Sequence, residues 1–234
     1  MLRRILLAAL IAGAAGGLFA AALQEWRVIP LILAAEAFEG QEHSDHAAAG
    51  HAHEPGTAAH EHDADAWQPE DGLERKAYTA AANMVTGIGF ALLLTAAFAL
   101  SGRPVDGRSG LFWGLAGFAA FTAAPALGLP PELPGMVAAD LQARQMWWVT
   151  TAAGTGVGLA LIVFGRSLWL KILAVALIVA PHAIGAPRPI AHGGAVPPEL
   201  AAEFVIASLA TAAAFWLVLG ALAGAAYQRL GRHA

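Results

Sequence analysis

The sequence predicts an all-α integral membrane protein: a polytopic bundle of about six transmembrane helices, five if the first is not counted, with a disordered histidine-rich loop. Three observations predict it. The chain of 234 residues is 58% hydrophobic and only 13% charged, with a mean hydropathy of +0.59, outside the range of a soluble globular domain. Several stretches reach the roughly 20 apolar residues that a helix rising about 1.5 Å per residue needs to cross about 30 Å of hydrocarbon. Gly and Ala abound within those stretches, where small residues let helix backbones approach one another in lipid.

Four regions follow in chain order: a first transmembrane helix in 1–24, an interfacial segment in 25–40, a histidine-rich loop in 41–76 and a membrane bundle of five helices in 77–234. The first apolar run, residues 5 to 23, follows Arg3 and Arg4. It reads as an anchor helix, because it is longer than the apolar core of a signal sequence; the alternative is a signal sequence. In "QEWRVIPLILAAEAFEG" apolar residues alternate with Glu25, Arg27, Glu36 and Glu39, which predicts an interfacial extension broken at Pro30. Residues 41 to 76 are rich in His, Asp, Glu, Ala and Gly, a composition that buries too little apolar surface to pack and predicts a flexible loop.

Apolar segments then recur at about 79 to 100, 110 to 129, 146 to 165, 168 to 186 and 202 to 227. The short link between the fourth and fifth segments of the chain predicts an antiparallel hairpin turning at Gly165, Arg166 and Ser167; one continuous helix would be twice a membrane thickness. Trp26, Trp67, Trp147 and Trp148 fall near one interface, as an aromatic belt would.

Short-loop Lys and Arg collect on the cytoplasmic side of membrane proteins. With six crossings, Arg3 and Arg4, Arg103 and Arg108, Arg166 and Lys171, and Arg229 and Arg232 all fall on one side. The expectation is a multi-pass protein of the bacterial inner membrane, with both termini cytoplasmic and the histidine-rich loop outside. Eight of the nine histidines then lie at or near the outer face, leaving His233 inside.

The outer loop concentrates His43, His46, His51, His53, His60 and His62 among Glu42, Asp45, Glu54, Glu61, Asp63 and Asp65. Imidazole backed by carboxylate is a ligand set for Co, Ni, Zn and Cu(II), whereas Mg and Ca prefer oxygen alone. The spacing selects a group of metals and predicts a capture tether; a solvated linker with adventitious binding is the alternative. Nearer the membrane, Asn83, Glu132, Asp140, Arg144, His182, His192 and Glu203 stand out, because polar groups at depth are costly. His182 follows Pro181, which frees backbone carbonyls, and is the strongest single ligand candidate; an interfacial histidine bonded to a carbonyl is the plain reading. Glu203 is the candidate acid, either compensating a cation or pairing with Arg144 or Arg188.

No Cys is present, which excludes disulfides, thiolate metal sites and cysteine catalysis. No phosphate-binding loop, serine-nucleophile elbow or paired-histidine zinc protease motif occurs, so no enzyme is predicted. The net charge of −4 gives no reason to expect nucleic acid; the lipid bilayer is the expected surrounding.

The segments "ALQEWRVIPLILAAEAFE", "WQPEDGLERKAYTAAANMVTGIGFALLL", "GLFWGLAGFAAFTAAPALGLPPELPG", "DLQARQMWWVTT" and "PHAIGAPRP", with the histidine-rich loop, together resemble the CbtA family, the larger subunit of a predicted cobalt transporter. The resemblance runs in order through nearly the whole chain. It implies uptake of Co2+, a small CbtB-like single-span partner subunit and an association with cobalamin synthesis, and composition and spacing show none of these. The ligand set leaves Ni2+ open as a further cargo, and no permanently bound cofactor is expected. The family is described with about five spans, and the resemblance assigns no ligand residues, so the histidines named above and Glu203 rest on chemistry alone. The competing reading is a metal-binding accessory or sensor that serves a separate permease.

Overall fold

The computed structural model describes residues 1–48, 69, 70, 72–189, 194 and 196–232, and of residues 39–48 the backbone alone. The described residues form seven helices: α1 Leu2–Arg27, α2 Ile29–Ala48, α3 Leu73–Ser101, α4 Gly107–Ala126, α5 Leu141–Phe164, α6 Leu168–Ile184 and α7 Pro198–Gly231. Helices α1, α3, α4, α5 and α7 are each long and apolar enough to cross a membrane. The architecture is that of a polytopic membrane helical bundle.

Of the six expected segments, α6 is the short one. Its 17 residues extend about 26 Å. It nevertheless makes the expected antiparallel hairpin with α5. The α5 helix ends at Gly165, whose N–H reaches the Leu161 carbonyl, and the Ser167 hydroxyl caps the start of α6 by accepting from the Leu170 N–H. Among the described elements α6 packs on α5 alone.

The break between α1 and α2 falls at Val28, ahead of Pro30. Proline then occupies the first turn of α2, where its missing N–H leaves no helical bond unmade. The α2 helix continues to Ala48, past the start of the expected loop at residue 41, because Gln41, Glu42, Ala47 and Ala48 favour helix.

Close backbone contact holds the body together. A Cβ on Gly13 or Gly17 of α1 would fall on the backbone of α3 at Ile88 or Asn83. Likewise Gly110 and Gly114 of α4 sit against the carbonyls of Gly220 and Trp216 on α7. Each of these pairs is spaced four residues apart, the spacing that places small residues on one helix face. Ala8, Ala12, Ala91, Leu94, Phe98, Leu219 and Ala223 fill the space between them.

At one end of the bundle Arg4 joins the two termini. Its Nε donates to the Tyr227 carbonyl at 2.6 Å, and its guanidinium lies 3.6 Å from the Tyr227 ring centre. The Arg103 guanidinium sits 4.6 Å over Phe164, bringing the α3–α4 and α5–α6 turns to that same end. There Asp106 caps α4, and the Ser109 N–H and hydroxyl hold its carboxyl below the ordinary carboxylate range. At the opposite, loop end, Val28, Ala35, Leu133, Phe204 and Ala207 form a second apolar cluster. Met136 pairs there with Gly194.

Candidate functional site

The loop histidines His51, His53, His60 and His62, and also His192 and His233, lie outside the described residues. His43 and His46 fall on the last turns of α2, with only their backbone described. The candidate site therefore begins with His182 and Glu203.

His182 is half-buried in the last turn of α6, its ring edge-on to Trp147 at 5.7 Å between centres. The Pro181 carbonyl accepts from Trp147 Nε1 at 3.2 Å and from the Gly185 N–H at 3.0 Å. His182 and Trp147 line a pocket of about 370 Å³ together with Arg188, Gly128 and Gly185. A guanidinium in that pocket opposes a divalent cation. Glu203 is exposed on α7 and does not line it. Among the described residues no group of three or more His, Asp or Glu side chains is arranged to hold a metal.

Arg144 pairs with Glu132 at 2.6 Å, both side chains about a quarter exposed. Its observed partner is thus the acid on the proline-rich loop, and of the alternatives offered for Glu203 a pairing with Arg144 is not the one seen. Asp140 caps α5 by accepting from the Ala143 N–H at 2.9 Å. The Glu132–Arg144 pair edges a pocket of about 410 Å³ that reaches down to Phe121 and Thr122.

Deeper in the same half of the bundle lies a cleft of about 240 Å³ between α1, α3, α4 and α7, half of its lining residues polar. Gln24, Asn83, Thr86, Thr122, Ser208 and Thr211 supply its polar lining. The Asn83 side-chain amide donates to Gln24 Oε1 at 2.8 Å and to the Thr79 carbonyl at 2.9 Å, fixing the α1–α3 wall. The Ser208 hydroxyl is buried and makes no hydrogen bond within the protein.

The α4 wall departs from α-helical geometry. Residues Ala119–Ala123 form a π turn, closed by the Ala124 N–H reaching the Ala119 carbonyl. Pro125 accounts for it: proline has no N–H to give the Phe121 carbonyl, and its ring would clash with that carbonyl in an α-helix. The wider turn holds Thr122 where its hydroxyl accepts from Trp216 Nε1 at 3.2 Å. Thr122 therefore lines both the outer pocket and the deeper cleft.

Below the cleft, toward the arginine end, stand four rings. Phe121 stacks on Trp216 at 5.6 Å and 12°, while Phe90 meets Trp216 at 4.7 Å and Phe121 at 5.3 Å. Phe215 packs edge-on to Phe90 at 6.4 Å. Of the cleft's polar residues, sequence reasoning singled out Asn83 alone.

A family model described as "Probable cobalt transporter subunit (CbtA)" matches residues 2–228. The chain belongs to the CbtA family. Membership makes it a cobalt transporter subunit, which accords with its five long apolar helices. Being a CbtA subunit also implies a partner within the transporter. No curated protein and no solved structure matches the chain.

Proposed function

We propose that this CbtA-family chain is the membrane subunit of a Co2+ uptake transporter. Its histidine-rich loop, facing away from the cytoplasm, captures the ion through His43, His46, His51, His53, His60 and His62 and passes it to the loop end of the helical bundle, where His182 and, apart from it, Glu203 stand. The observation that carries the reading is the family match along nearly the whole chain. The clustering of imidazole and carboxylate in one loop supports capture of a borderline divalent ion. The gathering of Arg4, Arg103 and Arg166 at the end opposite the loop connections supports cytoplasmic termini.

A divalent ion cannot enter hydrocarbon bare, since even one charge is costly there. Weak loop ligands raise its concentration at the membrane without trapping it. A small CbtB-like single-span protein is the expected partner, and the same ligand set leaves Ni2+ as a competing cargo.

The test is cellular cobalt and nickel content, by elemental mass spectrometry, in a transport-deficient bacterium expressing the chain with and without its partner. Cobalt accumulation that needs the chain, falls in His182→Ala and falls further on deleting residues 41 to 66 supports the proposal. No accumulation even with the partner overturns it in favour of a metal-binding accessory or sensor.

A further inference from the structure

Polar side chains at membrane depth are retained where they meet one another or line water. In the cleft, Gln24, Asn83, Thr86, Thr122, Ser208 and Thr211 converge from four helices; all but Gln24, which stands beside Glu25 near the end of α1, lie within apolar stretches. The buried Ser208 hydroxyl has no protein partner. It lacks what a packed polar group needs.

We infer that this cleft is the membrane-embedded site that receives a hydrated divalent cation from the loop end. The inference rests on the uptake reading and carries it from the loop into the bundle. Six waters occupy about 180 Å³ at about 30 Å³ each, within the cleft's volume of about 240 Å³. Half of the lining residues are apolar; the others offer hydroxyls and amide oxygens, which accept from metal-bound water, and no carboxylate or imidazole that would displace it. Keeping the waters avoids most of the desolvation cost, and a neutral lining lets the ion leave as readily as it arrives.

The site is closed on one side. Phe90, Phe121, Phe215 and Trp216 lie beneath it, and beyond them the α4 and α7 backbones touch at Gly110 and Gly220. The structure is thus the form of the protein closed toward the arginine end. Passage requires the Trp216 ring to move, and its hydrogen bond to Thr122 ties that movement to the π turn.

The absence of Cys makes a single introduced thiol a unique reporter. Ser208→Cys and Ala212→Cys place one in the cleft; Ala223→Cys places one in the fully buried glycine-packed region. Each full-length variant, in spheroplasts, is exposed to a membrane-impermeant cationic thiosulfonate with and without Mg2+, which holds its waters tightly and has little affinity for sulfur. The cleft thiols should react and the Ala223→Cys thiol should not. Mg2+ at about ten times its dissociation constant should slow the cleft reaction about tenfold. Inert thiols at both cleft positions, or reaction at a rate Mg2+ does not change, overturn the inference.

Cobalt accumulation by the same cells separates the two failures. Uptake without protection retires the cleft and leaves the uptake reading standing; protection without uptake supports the cleft as a cation site and retires uptake.

Discussion

The indole N–H of Trp216 donates to the Thr122 hydroxyl at 3.2 Å, tying α7 to the π turn of α4 at the floor of the cleft. Thr122→Val keeps the shape and removes the acceptor. It should lower stability by about 1 kcal/mol, the cost of a buried donor left unmet, read as a lower midpoint of thermal unfolding in detergent. Thr122→Ser should restore the midpoint, and an unchanged Thr122→Val would show that the indole has another partner.

Pro125→Ala returns an N–H to the position where α-helical bonding to Phe121 fails. The π turn should relax toward α-helix and turn Thr122 out of the cleft, and the unfolding midpoint should fall, because the Trp216 N–H loses its acceptor and the fully buried Pro125 ring leaves a cavity. Cobalt accumulation should fall with it. A variant that is less stable and equally active would separate the π turn from transport.

The α4–α7 contact leaves no room for a side chain at Gly114 or Gly220. Gly220→Leu should cost about 3 kcal/mol or more, because the obstacle is the facing backbone of Gly110 and Gly114, which cannot swing aside. Gly89, whose Cβ would meet nothing, should tolerate Ala. Proteolysis of the detergent-solubilised variants distinguishes the two.

The Glu132–Arg144 pair should show coupling. Glu132→Gln and Arg144→Gln each leave a partly buried charge unmatched, so the double variant should be more stable than the summed losses by about 1 kcal/mol. Chemical denaturation of the four proteins in the cycle measures it. Zero coupling would mean that solvent screens the pair at its quarter exposure.

Capture by the loop should depend on pH. Neutral imidazole binds metal, and its reference pKa is about 6.5. Binding is therefore present above that value and should weaken as pH falls toward about 5.5. Cobalt titration of the full-length protein against a variant lacking residues 41 to 66 isolates the loop's share, and loop-dependent binding undiminished at about pH 5 would point to carboxylate ligands.

Much of the architecture was legible because apolar length is a one-dimensional property. The runs at 5–23, 79–100, 110–129, 146–165 and 202–227 fall on long apolar helices, the third passing the end of α4 at Ala126 by three residues and the fourth passing the end of α5 at Phe164 by one, and the turn at Gly165 to Ser167 is where the charge and glycine placed it. The alternation of Arg-bearing turns likewise became one end of the bundle. The reach of α2 to Ala48 was hidden because charged and alanine-rich sequence suits both helix and solvated coil.

The cleft was harder to read, since its polar residues are spread over four helices and each looks incidental in its own segment. Two local signals were present: Asn83 with Thr86 and Ser208 with Thr211, each three apart and so on one helix face. Pro125 within an apolar run was a third. None says which helices face each other. Glu132 and Arg144 illustrate the same limit, because the sequence offered Glu203 as a partner for Arg144 and only the fold brings Glu132 to it.

The shortness of α6 has a consequence for the lipid. At about 26 Å it falls below the usual hydrocarbon thickness of about 30 Å, and among the described elements it leans on α5 alone, with most of its apolar surface uncovered by the rest of the chain. Such hydrophobic mismatch is met by pinching the bilayer locally. The membrane would then be thinnest on one flank of the protein, beside the hairpin, so that the distance a charge must cover there is set jointly by protein and lipid.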